Sequence, residues 1–83
     1  MTTEELLAER AQTHGDFTDH AGTTQDLKTI MYDHPNYKKL SAVQKEALEM
    51  IVHKIGRILA GNPDHKDNWA DIAGYAKLVK DRL

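Results

Sequence analysis

The sequence predicts an all-α protein: an antiparallel hairpin of two long helices with two N-terminal helices packed against it, assembled as a homo-oligomer. Three observations carry that expectation. Apolar residues recur at helical spacing in four segments and nowhere alternate long enough to make a strand. Capping residues precede these segments, and glycine or proline follows three of them. With 83 residues and no cysteine, the chain is one domain, 1–83, near the lower limit for a self-sufficient core. A core or site shared between copies is therefore expected.

The first helix is expected from about Thr3 to Thr13. Thr2 and Glu5 have the spacing of a capping box, and His14-Gly15 reads as the C-terminal stop, with glycine in the left-handed position. Leu6, Leu7 and Ala11 give only a narrow apolar stripe, so this arm should dock on something larger. Asp16 is placed to cap the second helix, Phe17 to Tyr32, where Phe17, Ala21, Thr24, Leu27, Lys28 and Met31 share a side. Asp33-His34-Pro35-Asn36 ends it, because proline cannot continue the hydrogen-bond ladder.

The third helix, Ser41 to Ala60, opens on Ser41 and Gln44 at capping-box spacing and stops at Gly61-Asn62-Pro63. Val43, Ala47, Leu48, Met50, Ile51, Ile55, Ile58 and Leu59 form a face wide enough for the central helix of the domain. The fourth helix starts near Asp67 and carries two faces. Trp69, Ile72, Ala73, Ala76, Val79 and Leu83 read as core; Asp67, Asp71, Gly74 and Leu78 lie nearly opposite.

The formal charge of −2 and pI near 6.2 give no basic footprint for duplex nucleic acid. No apolar run approaches the roughly 20 residues of a membrane span, and the acidic, amphipathic start is not a secretory leader. The expected location is the cytoplasm.

Chemistry is sought on the polar strips. Glu46 and Glu49 project from one side of the third helix, at a spacing that offers two carboxylates to one divalent cation. If Asp67 and Asp71 faced them, four carboxylates could hold Mg2+ against a polyphosphate, with Lys54 or Arg57 on phosphate oxygens. The plainer alternative is a solvated strip: Glu49 and His53 pair at i,i+4, Asp67 caps a first turn, and Arg57 suits a helix C-terminus. His14, His20, His34, His53 and His65 include no i,i+4 histidine pair and no HExxH, which argues against zinc. His14 is the best functional histidine, since capping explains Gly15 and Asp16 but requires no ring before them. Tyr75 sits between the two faces of the fourth helix, where a ring could stack on a base.

The segments HGDF at 14–17, KEALEMIVHKIGRILAG at 45–61 and DHKDNWADIAGYAKLV at 64–79 together resemble a family of small phage and prophage proteins of uncharacterised function. The two-helix part is similar to the MazG-like all-α nucleoside triphosphate pyrophosphohydrolases, dimers or tetramers that bind magnesium through ExxE on one helix and ExxD on the next. The resemblance implies Glu46 and Glu49 as the first pair and Asp67 and Asp71 as the second, here DxxxD in place of ExxD. It implies a phage-type protein of the host cytoplasm that binds a nucleotide or nucleotide-derived signal between helices or subunits and sequesters it against host defence. His14, Lys54, Arg57, Asp71 and Tyr75 would be its ligand-binding residues. A magnesium-dependent pyrophosphohydrolase is the alternative, and a protein-interaction module docking through its first helix is a second.

Overall fold

The computed structural model describes residues 1–83 and is helical throughout, with no strand. Four helices follow one another: α1 (Thr3–His14), α2 (Phe17–Asp33), α3 (Ala42–Ala60) and α4 (Lys66–Lys80), with a single 3-10 turn at Tyr37–Lys39 between α2 and α3.

Local chemistry sets the helix ends. Thr2 Oγ1 accepts from Glu5 N at 3.1 Å, and Asp16 Oδ2 accepts from Asp19 N at 3.2 Å. Ser41 and Gln44 form the full reciprocal capping box expected of them. Gly15 closes α1 with φ 77°, a conformation that side chains rarely adopt. It also lies against α3: a Cβ there would stand 1.9 Å from the Ala60 carbonyl oxygen. Beside it, Asn62 N donates to Thr13 O at 2.9 Å, so the α1–α2 corner is fastened backbone to backbone onto the end of α3.

α3 is the central helix. α4 packs along one side of it and α2 along another, while α1 touches both α2 and α3 more lightly. The α2–α3 crossing is made close by Gly56. A Cβ at that position would meet Thr24 Oγ1 at 2.3 Å and His20 Nδ1 at 2.7 Å.

The interior is small and unusually polar. Seven of the 83 residues are buried, and Ala47 and Val52 are the only apolar side chains among them besides Gly56; the rest are His20, Thr24, Lys54 and Asn68. Buried polar groups are normally hydrogen-bonded. Here His14 Nδ1, His20 Nδ1, Thr24 Oγ1 and Asn68 Nδ2 have no partner.

Two expectations about faces change. α4 buries Asn68 and half-buries Ile72, Tyr75 and Val79, whereas Trp69, Ala73, Ala76 and Leu83 are exposed. Ile72 and Val79 belong to either stripe, so periodicity left the phase open by about one residue, or ~100° of helix rotation. The indole settles elsewhere: Trp69 Nε1 donates to Pro63 O at 2.8 Å, which holds the ring over the preceding loop. On α2, Phe17 shares the inward stripe by sequence yet is 77% exposed, because it stands at the helix start, beside a cleft rather than under α3.

Candidate functional site

The residues singled out by sequence fall into three places. Lys54 and Asp71 meet each other: Lys54 Nζ lies 2.9 Å from Asp71 Oδ2, with the lysine side chain 11% exposed and the aspartate 48%. This ion pair joins α3 to α4 and answers the charge of a buried lysine. Tyr75 stands on the same side of α4, half-buried between two shallow grooves, one shared with Asp71 and Leu78, the other with Val43, Glu46 and Arg82.

Glu49 faces α2, while Glu46 borders both a recess toward α2 and the groove with Tyr75 and Arg82. With Lys28, Met50 and His53 the two glutamates line that recess, of about 250 Å³. The Tyr32 hydroxyl donates to Glu49 Oε1, and this hydrogen bond to a carboxylate, helped by desolvation, pushes the phenol up to about 12. Asp67 points away, 85% exposed and 3.7 Å from His65. The expected convergence of Glu46, Glu49, Asp67 and Asp71 therefore does not occur within one chain, and no group of three or more His, Asp or Glu side chains is placed to hold a metal ion. Glu49 is turned to Tyr32 of α2, whereas Asp71 is taken up by Lys54 and Asp67 lies beside His65.

His14 and Arg57 do come together, in a cleft of about 420 Å³ between α1, α2 and α3. Arg10, Gly15, Asp16, Phe17, His20 and His53 complete most of its wall. Arg10 and His14 are one turn apart on α1, as are His53 and Arg57 on α3; these i,i+4 pairs put an arginine and an imidazole on one face of each helix. His20 enters from α2, its ring 4.7 Å from that of His53 and nearly perpendicular to it.

The cleft carries positive charge with almost nothing to balance it. Neither arginine takes part in a salt bridge. The one acid on the wall, Asp16, is engaged in capping α2. The imidazoles register this field. His53 is lowered to about 4 by desolvation first, then by Arg57, His20, Lys54 and Lys28. His14 is lowered too, by burial and by Arg57, His65, Lys54 and Arg10. Such histidines stay neutral at pH 7 and offer N–H donors without adding to the charge. The recess of Glu46 and Glu49 adjoins this cleft, with His53 forming a wall of both.

Arg10, Phe17, His20 and His53 are the members that sequence reasoning did not select. The i,i+4 repetition of Arg10–His14 and His53–Arg57 was the available signal, and Gly56 opposite His20 was the sign of a close crossing.

No curated protein and no solved structure matches the chain. What covers it from residue 2 to residue 82 is a family described as a domain of unknown function, DUF6378, and the protein belongs to that family.

Proposed function

We propose that the protein binds a nucleotide or nucleotide-derived signal through its phosphate, in the cleft between α1, α2 and α3, and holds it without reaction. One observation carries this reading: Arg10 and Arg57 converge on a single cleft with His14, His20 and His53, and neither arginine has an acidic partner. Guanidinium forks match phosphate oxygens in pairs, and a concave site lets several donors reach one phosphate together. His14 and Arg57 keep the ligand-binding part expected of them. Lys54, Asp71 and Tyr75 frame the neighbouring α3–α4 surface, with Lys54 spent on Asp71.

Self-association belongs to the same reading. Ile30, Leu48, Leu59 and Trp69 are 70%, 38%, 66% and 55% exposed, while the chain buries few apolar side chains of its own. A second copy would cover such surface and complete a core too small for one chain. A phage origin, with sequestration directed at a host signal, fits a binder that has no reaction to perform. A magnesium-dependent hydrolase built on Glu46, Glu49, Asp67 and Asp71 would need that second copy to bring the two carboxylate pairs together.

The test is a thermal-shift panel of nucleotides with and without chelator, followed by mass spectrometry of the recovered ligand. Sequestration predicts stabilisation that survives chelator, with the nucleotide returned intact. Pyrophosphate release that depends on magnesium and is abolished by Glu49→Gln would replace it with the hydrolase, and the absence of any shift would remove nucleotide binding altogether.

A further inference from the structure

The donor geometry of the same cleft narrows the kind of phosphate it takes. Arg10 reaches it from α1 and Arg57 from α3, two planar forks on separate elements. His20 is 6% exposed, lines the cleft, and packs its Nδ1 against Gly56 without a partner; its Nε2 makes no hydrogen bond within the chain. His14 Nδ1 is likewise buried and unpartnered. Gly15, on the wall of the cleft, has its backbone against Ala60 and Gly61. Phe17 stands on its wall, 77% exposed, its ring 6.2 Å from that of His20 and tilted 51° to it.

A terminal phosphoryl group has three unesterified oxygens and a charge of roughly −1.5 to −2 at neutral pH. A bridging phosphodiester has two such oxygens, a single charge, and a second substituent that must leave the site. Two forks each seek a pair of acceptors, and the imidazoles add further donors. The terminal group matches that number of donors, and its charge suits two arginines on a wall whose one carboxylate, Asp16, is engaged at the start of α2. An exposed aromatic ring beside the phosphate suits a stacked base.

We infer that the cleft is selective for a nucleotide ending in a free phosphomonoester, with the terminal phosphoryl held between Arg10 and Arg57 and the base stacked on Phe17. This rests on the reading that the cleft is a nucleotide site. Nucleotides whose phosphates are all diesters, cyclic dinucleotides among them, offer fewer acceptors and less charge to the same donors and should bind more weakly.

Calorimetric titration of the full chain tests this with adenosine 5′-monophosphate and its guanosine, cytidine and uridine counterparts, the methyl phosphate ester of the best binder, a cyclic dinucleotide and inorganic phosphate. The monophosphate is expected to bind about tenfold or more tightly than its methyl ester, the scale of one lost charge-assisted contact. Arg10→Gln and Arg57→Gln should each weaken the monophosphate by about tenfold and shrink the preference over the ester. Phe17→Ala should weaken nucleotides and leave inorganic phosphate unchanged. Arg10 lies on α1, which has no buried residue, so its variant is expected to fold even if the Arg57 variant does not. A methyl ester or cyclic dinucleotide that binds as tightly as the monophosphate overturns the selectivity while leaving the nucleotide site standing. Failure of every probe to bind overturns both.

Discussion

Two polar surfaces that α3 shares with its neighbours differ in how their charge is answered. Against α4, Lys54 is buried and meets Asp71 at 2.9 Å; its charge is answered inside the chain. Against α1 and α2, Arg57 and His53 share a cleft with Arg10, His14 and His20. There neither arginine forms a salt bridge, the one carboxylate, Asp16, caps α2, and the buried Nδ1 atoms of His14 and His20 lack partners. Unpaired buried polar groups carry a desolvation penalty of about 1–3 kcal/mol each. Retaining two on residues of one cleft is consistent with a role outside the folded chain's own stability. The lesson concerns how a charged strip on a helix is read: pairing across the fold, more than residue type, separates the lysine from the arginine three positions later.

The comparison breaks most severely where the cleft is fastened. Gly15→Ala forces a side chain into a backbone conformation that costs about 1–3 kcal/mol for residues other than glycine, and sets the methyl 1.9 Å from the Ala60 carbonyl oxygen. The sum should reach about 3 kcal/mol. Gly56→Ala should cost about 1–3 kcal/mol, since Thr24 Oγ1 and His20 Nδ1 stand 2.3 and 2.7 Å from the new carbon and α2 must move off α3. For a domain of this size each kcal/mol lowers Tm by roughly 4–8 °C. Thermal unfolding followed by circular dichroism reads both; Tm values within a degree of the parent would mean that neither close approach exists.

These two glycines also mark how far the fold was legible in sequence. The helices and their caps at Thr2, Ser41 and Gly15 were readable because each is decided by a few adjacent residues. The faces were less so. Ile72 and Val79 satisfy two overlapping stripes on α4, and the choice between them was made by partners outside the helix, Pro63 O in the preceding loop for the indole and Lys54 on α3 for Asp71. Of the residues lining the cleft, His14 and Arg57 were singled out by sequence, for a pocket between helices or subunits. Arg10 and His20 were not found, because their part depends on where α1 and α2 dock, and that is set by Gly15 and Gly56 meeting a backbone and two side chains from other helices.

The paired side of the comparison is sharpened by removing one partner. Asp71→Asn leaves the Lys54 ammonium buried beside a neutral amide, at a cost of about 1–3 kcal/mol, at the low end because the aspartate is half exposed. Adding Lys54→Met should recover most of that loss, since an apolar chain of similar length replaces a buried, unanswered charge. Urea unfolding of the single and double variants measures the recovery. A double variant no more stable than Asp71→Asn would mean that the lysine charge, rather than its burial, supports α4.

The unpaired side responds to acid. His53 holds its proton less readily in the folded chain, at about 4 against the ordinary 6.5. Below pH 6.5 the unfolded chain therefore takes up a proton that the folded chain refuses until about pH 4, and stability falls across that window. Stability above pH 6.5 is unaffected by this group. His53→Gln should flatten the fall between pH 6.5 and 4, as measured by chemical unfolding at stepped pH. A slope unchanged by the substitution would assign the acid sensitivity to other groups.

The smallest effect is expected on the arm that forms one wall of the cleft. Thr2 caps α1 by accepting from Glu5 N, and Thr2→Ala removes that bond at a local cost of about 1 kcal/mol. α1 buries no residue, so its first turns can fray without exposing core, and Tm should move by no more than a degree or two. Amide exchange should nevertheless rise several-fold at Glu5, Leu6 and Leu7 and stay level past Gly15, where the chain is fastened to Ala60 and Gly61. A loss of protection that spreads through α2 would make α1 an integral part of the fold instead of a docked arm, and the cleft a product of the whole bundle rather than of one corner.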